Sequence, residues 1–168
     1  MILKRIIYRF LPLVAMLIAF VVSACSSIDC PLNNTVYANY KLMKTDIVPD
    51  TLRDTLNIWA VRIGMTDSII VNRNINTMSL KLPVSFTNDV DVLCFQRKND
   101  ADFMCIDTVR IEKNNTPHFE SVDCAPNYFH EITSVTTTHN GIDSIVIKQK
   151  TVDYDAKDNF YIYFKALH

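Results

Sequence analysis

Short runs of β-branched and aromatic residues, separated by Asp, Asn, Thr and Pro, recur along most of the chain and constrain its fold most strongly. Such runs are typical of strands, and their spacing of roughly 8–12 residues is typical of a sandwich or a barrel. Ten strands are predicted, at residues 35–43, 55–63, 68–72, 78–84, 90–96, 103–112, 118–122, 128–138, 142–149 and 159–166. The predicted fold class is therefore all-β: an antiparallel β-sandwich, immunoglobulin-like or a related Greek key, with a small β-barrel as the alternative.

Three features of the sequence predict details within this pattern. Pro83 lacks a backbone N–H, so the run at 78–84 is predicted to be an edge strand or to contain a bulge. Asn140-Gly141 separates two predicted strands, and Asn-Gly in that position is the strongest short signal for a β-hairpin. Trp59, the only tryptophan, is predicted to anchor the core, with a stacking platform for a carbohydrate as the alternative.

The beginning of the chain has the pattern of a leader peptide. Three basic residues precede residues 10–22, which carry no charge. This run is shorter than a bilayer span of about 20 residues and fits a signal-peptide core of roughly 7–15. Val22-Ser23-Ala24-Cys25 resembles the lipobox of bacterial lipoproteins, which implies lipid transfer to the Cys25 sulfur and cleavage between Ala24 and Cys25. The alternatives are an uncleaved anchor or an ordinary secretory signal.

Processing at this position would divide the chain into residues 1–24 as signal peptide, 25–34 as lipidated tether and 35–168 as a single β domain. The mature chain has 14 Lys and Arg against 18 Asp and Glu, because three of the 17 basic residues lie in the leader. This acidic balance offers no electrostatic case for binding nucleic acid. Two or more acyl chains, including palmitate, would anchor the protein to a membrane. Ser26 resembles the outer-membrane sorting signal, and the single acid Asp29 favours the periplasmic face over the cell surface.

Four further cysteines in an exported chain indicate disulfides. Cys94 and Cys105 flank the polar residues 98–101 symmetrically, so a hairpin centred there would place them opposite each other. Cys30 and Cys124 would then form a second pair that joins the tether to a late strand. The alternative is that some of these cysteines are buried thiols that pack as small apolar residues.

The segments DSIIVN, MSLKLPVSFTNDVDVLCFQ, ESVDCAPNYFHEI and HNGIDSIVIKQKTVDYDAKDNFYIYF resemble a family of small, uncharacterised Bacteroidales lipoproteins. Members share a Leu-Pro strand, a Ser-x-x-Cys and an Asn-x-Ile-Asp-Ser hairpin. The resemblance spans residues 25–165 and departs from the pattern at Ala125, where members usually have Gly. It implies no activity.

Asp followed by Ser or Thr and then an aliphatic residue occurs five times, where composition alone would give about one occurrence. The triplet resembles the O-glycosylation signal of Bacteroidales extracytoplasmic proteins. The implied sites are Thr51, Thr55, Ser68, Thr108 and Ser144. The alternative is structural: Asp with Ser or Thr closes a turn, and the aliphatic residue begins a strand.

Patterns for catalysis or metal binding are not found in the sequence. It has no GxSxG, Gly-rich phosphate loop, HExxH or CxxC. His130 and Glu131 are adjacent on a predicted strand and would face opposite sides. DYDAKD at residues 153–158 lacks the Gly and Glu of a calcium loop, so a solvated turn is predicted. We therefore expect no catalytic residue, no metal and no cofactor.

Together these observations favour a non-enzymatic, membrane-anchored extracytoplasmic lipoprotein. It would act as a binding or envelope-accessory module, with an envelope protein or a glycan as partner. One alternative is a β-barrel carrier of a lipid or small apolar ligand. A second is an enzyme whose catalytic residues are scattered along the sequence.

Overall fold

The computed structural model describes residues 36–62 and 64–166. The described residues form ten strands and no helix. The strands are β1 Tyr37–Leu42, β2 Thr55–Ala60, β3 Ser68–Asn74, β4 Ser79–Pro83, β5 Val90–Lys98, β6 Met104–His118, β7 Asn127–Thr137, β8 Ile142–Ile147, β9 Thr151–Val152 and β10 Phe160–Phe164. No described segment is a helix of the length and apolarity needed to cross a bilayer. Ala24, Cys25 and Cys30 lie outside the described residues.

The strands form two sheets. One has the order β4-β1-β10-β8, and the other has the order β3-β2-β5-β6-β7-β9. Neighbours are antiparallel except β1 and β10, which run parallel with Tyr40 opposite Phe160. Each sheet has two edge strands among those described, which is the arrangement of a sandwich. The prediction of an all-β, two-sheet fold is confirmed.

Alternating residues of both sheets build one continuous core between them. On β1 the inward residues are Ala38, Tyr40 and Leu42, each nearly inaccessible to solvent. The Tyr40 ring stacks on Phe160 with the ring centroids 4.6 Å apart and lies 6.4 Å from the Phe95 ring. Each large side chain buried in this way contributes roughly 1.5–3 kcal/mol, so the core is the main source of stability.

Nine of the ten predicted strands coincide with observed strands, and one prediction is wrong. Residues 118–122 were expected to form a strand, but β6 ends at His118 and a turn follows. The polar stretch from Lys113 to Pro117 instead extends β6 along β7. The extension is held by pairing with β7 and by polar side chains such as Lys113 and Asn115, which bind Asn88, so it has no apolar alternation that would indicate a strand. The two-residue β9 was not predicted.

Pro83 is the last residue of β4, which is an edge strand, as predicted. The hairpin predicted at Asn140-Gly141 is wrong, because β7 and β8 belong to different sheets. The connection instead crosses from one sheet to the other. The buried Asp107 carboxylate accepts three consecutive backbone N–H groups of this connection, from Asn140 (2.6 Å), Gly141 (2.7 Å) and Ile142 (2.8 Å). Within this connection, the residue with a positive φ is His139, at 60°.

Arg97 lies at the same end of the sandwich as the β7–β8 connection. We call this end the far end, because it lies opposite the recess described below. Its guanidinium donates to the carbonyl oxygens of Gly141 (2.9 Å) and Lys165 (3.0 Å), and to Asp54 Oδ2 at 2.5 Å. It also lies over the Phe164 ring, 4.7 Å from the centroid. A buried charge with such partners fixes the positions of the segments that it joins.

The predicted Cys94–Cys105 disulfide is wrong, because both residues are free thiols. Lys98 pairs with Met104, so the turn of the β5–β6 hairpin is centred later than expected. Cys94 therefore lies opposite Thr108, and Cys105 lies opposite Arg97. This register places the two thiols on opposite faces of the sheet. Cys124 is not a free thiol, and since Cys30 lies outside the described residues, the Cys30–Cys124 pair stays a prediction.

Trp59 does not anchor the core. Leu56 and Ile58 of β2 are completely buried, whereas Trp59 is only partly buried and lies opposite Cys94. Because side chains alternate along a strand, the inward direction of Ile58 directs Trp59 to the outer face of the six-stranded sheet.

Candidate functional site

A recess of about 290 Å³ opens between the two sheets, at the end opposite the far end. We call it the end cleft. Its walls are the end of β2, the start of β3, the connection between β4 and β5, and the start of β5. The recess exists because β3 and β4 are edge strands of different sheets and do not pair with each other.

The carboxylate of Asp91, which is 13% exposed, lines the end cleft. Asp91 Oδ2 accepts the backbone N–H of Ser85 at 3.2 Å, and Asp91 Oδ1 lies 3.4 Å from Lys113 Nζ. The Lys113 side chain is completely inaccessible to solvent. Burial raises the pKa of Asp91, and the Lys113 ammonium opposes this shift. The ion pair with Lys113 therefore offsets part of the cost of burying the Asp91 carboxylate among largely apolar residues.

The connection between β4 and β5 is held in place by β6 and β7. Lys113 Nζ donates to the carbonyl oxygen of Asn88, and Asn115 Nδ2 donates to the same oxygen at 3.0 Å. Asn115 Oδ1 lies 2.7 Å from Nδ1 of the buried His130. Burial, and secondarily the Lys113 charge, lowers the pKa of His130 to about 4. His130 is therefore neutral near pH 7, so it adds no second cation beside Lys113.

The rim of the end cleft carries a cation and an aromatic ring. Arg62 is exposed, and its Nε donates to the carbonyl oxygen of Thr66 at 3.1 Å, which orients the side chain over the β2–β3 connection. Phe86 is 56% exposed, and its ring stacks on Tyr128 with the centroids 5.1 Å apart. Ser85 and Thr87 flank Phe86 in sequence, and their hydroxyl oxygens are 3.1 Å apart.

The end cleft thus combines hydrogen-bond donors, hydrogen-bond acceptors and a stacking surface. The residues that line it include no histidine and no cysteine. Among the described residues, no group of three or more His, Cys, Asp or Glu side chains is arranged to hold a metal ion. The arrangement suits a neutral ligand that both donates and accepts hydrogen bonds.

A small cavity lies in the interior of the described part of the sandwich. A cavity of about 10 Å³ lies between the sheets beside Tyr40, Leu93 and Phe160. A cavity of this size holds a single water molecule at most.

The five candidate glycosylation sites are dispersed over the described surface. Thr51 is exposed in the β1–β2 connection, whereas Thr55, Ser68, Thr108 and Ser144 are partly buried within strands. In two of the triplets the aspartate has a structural role: Asp54 pairs with Arg97, and Asp107 binds the β7–β8 connection. The modification itself stays a prediction.

The candidate acid–base pair and the acidic loop have the geometry expected from the sequence. His130 is buried and Glu131 is exposed, so the two side chains face opposite sides of β7. Residues 153–158 connect β9 to β10 at the surface, and Asp155 pairs there with Lys157 at 2.8 Å.

Sequence reasoning missed the residues of the end cleft. Arg62, Phe86 and Asp91 come from three segments that no local pattern connects. The only available signal was the polar run at 85–91, which follows the edge-strand proline and contains one exposed aromatic residue. A run of this kind also describes an ordinary loop.

Comparisons of the chain with curated proteins and with solved structures gave no match. Residues 55–164, from the first residue of β2 to the last residue of β10, match a protein family whose function is unknown. The matched range contains every residue that lines the end cleft, whereas β1 lies before it. The chain therefore belongs to the family of unknown function DUF6452.

Proposed function

We propose that this protein is a lipid-anchored, non-enzymatic binding module of a bacterial envelope, and that the end cleft binds a glycan. One observation carries this proposal: a carboxylate, a guanidinium, three hydroxyls and an exposed aromatic ring line one recess. Sugar hydroxyls both donate and accept hydrogen bonds, so they can use Asp91 as acceptor and Arg62 as donor. The apolar face of a sugar ring can pack against an aromatic ring such as that of Phe86.

The size of the recess favours a glycan over a protein partner. About 290 Å³ is near the lower limit of small-ligand pockets, which run from roughly 300 to 1,000 Å³. A stable protein–protein interface buries about 1,200 Å² or more and is usually flatter than such a recess. The alternative function, a carrier of a lipid in the interior, has little support, because the cavity between the sheets holds about 10 Å³.

The lipid anchor in this proposal rests on the sequence Val22-Ser23-Ala24-Cys25, which resembles a lipobox. The anchor would hold the domain at the outer membrane, with the periplasmic face favoured. A Cys30–Cys124 disulfide would fasten the tether to the domain, and glycosylation at exposed Thr51 would be compatible with an extracytoplasmic location.

Ligand binding can be measured by saturation-transfer NMR with the mature protein in detergent and oligosaccharides released from the envelope of the native host. We expect binding to fall at least about tenfold in Arg62→Ala and Phe86→Ala, because each removes a direct contact worth about 1.4 kcal/mol or more. Arg110→Ala and Phe103→Ala are matched controls, since both residues are exposed and neither lines the cleft. The proposal fails if no oligosaccharide binds, or if all four variants bind as the wild type does.

A further inference from the structure

The chain enters the described domain at the end that carries the end cleft. Val36, the first described residue, accepts a hydrogen bond from Val84 N at 3.4 Å through its carbonyl oxygen. Val36 also lines one surface recess together with Tyr154, in the β9–β10 connection. The Tyr154 ring packs edge-on against Phe129 with the centroids 5.0 Å apart, next to the β6–β7 turn. We call this the tether end.

Exposed aromatic residues are concentrated at the tether end. The described residues include five exposed aromatic side chains, of which Tyr37, Phe86, Phe119 and Tyr154 lie at this end. The fifth, Phe103, lies at the far end. Val122, in the β6–β7 turn beside Phe119, is 95% exposed, the highest value among the exposed apolar residues. Exposed aromatic side chains at one end of a tethered protein are typical of contact with a membrane interface.

The length of the tether restricts the distance between this end and the bilayer. From Cys25 to Val36 the chain advances 11 residues, which span at most about 40 Å when fully extended. A disulfide between Cys30 and Cys124 would shorten the reach to five residues, or about 18 Å, measured from the lipidated residue to the turn itself. Cys124 belongs to the same turn as Val122, and its backbone N–H donates to the Ser121 carbonyl oxygen at 3.3 Å.

We propose that the tether end rests on the bilayer, with Phe119 and Val122 inserted among the lipid headgroups and Tyr154 at the interface. This inference goes beyond the glycan site but depends on the lipid anchor of the proposed function. The carboxylates of Glu120 and Asp123 limit the depth of insertion, since they must stay hydrated. They also make a zwitterionic bilayer a better surface than an anionic one. In this orientation the end cleft opens close to the membrane, where it would meet ligands attached to the envelope.

Two phenylalanines at opposite ends of one strand provide a matched test. Phe103 precedes β6 and Phe119 follows it, and their exposures are 53% and 60%. Each is replaced by tryptophan in a Trp59→Phe background, so that the chain carries a single tryptophan. The lipidated full-length protein is reconstituted into phosphatidylcholine vesicles with brominated acyl chains, and quenching is compared with unbrominated vesicles. Circular dichroism verifies that both variants are folded.

We expect Phe119→Trp to be quenched at least twofold more strongly than Phe103→Trp, and Val122→Asp added to the first variant to reduce that quenching. Equal quenching at the two positions would overturn the inference. So would a blue-shifted but unquenched tryptophan at 119, because that result means that protein rather than lipid covers the turn. Flotation of the vesicles separates the two proposals. Protein that floats without quenching contradicts only the orientation, whereas protein that does not float contradicts the anchor as well.

Discussion

At the residue scale, Gly141 shows how one position depends on contacts from elsewhere in the chain. An added Cβ would lie 2.3 Å from Cys105 Sγ and 3.3 Å from Asp107 Oδ2. Both atoms belong to β6, which is buried against the β7–β8 connection at this point. Glycine is therefore required here for close approach, since Gly141 has no positive φ.

We expect Gly141→Ala to lower the free energy of unfolding by about 1–3 kcal/mol, because β6 or the connection must shift to admit the methyl group. Adding Cys105→Ala should recover part of that loss, because it removes the clashing sulfur. Chemical denaturation of both single variants and of the double variant would measure this recovery as a coupling energy. Gly64→Ala serves as the comparison, because φ is +72° there and an added Cβ meets no atom within 4 Å. A loss of stability in that variant reflects backbone conformation and not a steric clash. Strictly additive effects of Gly141→Ala and Cys105→Ala would contradict the contact.

At the element scale, the β5–β6 hairpin determines which thiols can meet. Its turn at residues 99–103 contains Asp102 with φ 66°, and Asn99 Oδ1 accepts the N–H groups of Ala101 and Phe103, both at 3.0 Å. This turn sets the register that places Cys94 on the outer face and Cys105 beside Arg97. Burial is the main reason why the pKa of the Cys105 thiol is raised.

We expect Cys94 of the folded protein to react with iodoacetamide several-fold faster than Cys105, because the raised pKa of Cys105 lowers its thiolate fraction. After denaturation without a reductant, both cysteines should be fully modified. Peptide mapping by mass spectrometry measures the two rates, and Cys94→Ser identifies the fast phase. If neither residue is alkylated after denaturation, the two thiols are bonded and the register is wrong.

At the scale of the whole molecule, β1 is indispensable to the sandwich although it precedes the segment that matches the family. It lies between β4 and β10 in the four-stranded sheet and is the only described strand that joins them. Tyr40 is 1% exposed and stacks on Phe160, so its removal would open the core between the sheets.

We therefore expect a fragment of residues 55–164 to be unfolded, and a fragment of residues 36–166 to fold. Loss of β1 leaves two new strand edges and removes several fully buried side chains, each worth roughly 1.5–3 kcal/mol, which exceeds the margin of a typical domain. Circular dichroism and NMR dispersion of the two fragments would show the difference. A well-dispersed spectrum from residues 55–164 would show instead that the family segment is a complete folding unit.

Features that depend on neighbouring residues in the sequence could be predicted, whereas features that depend on contacts between distant residues could not. Alternating apolar residues and the missing N–H of Pro83 are local properties, and they correctly indicated nine strands and the edge position of β4. The conformation of the β7–β8 connection could not be predicted, because it depends on a residue distant in sequence. Asp107 on β6 binds residues 140–142, and the connection crosses between the sheets instead of forming a hairpin. The end cleft was hidden for the same reason, since its residues meet only after both sheets have formed.

The sequence by itself determined that this protein is built from strands and where most of them lie, because the alternation of apolar and polar residues along a strand is a local property of the sequence. Only the tertiary structure decided the register of the β5–β6 hairpin, the assignment of strands to sheets and the meeting of Arg62, Phe86 and Asp91 at one recess. These features depend on contacts between residues distant in sequence. No local pattern encodes such contacts, because their free energy is gained only when the two sheets pack together.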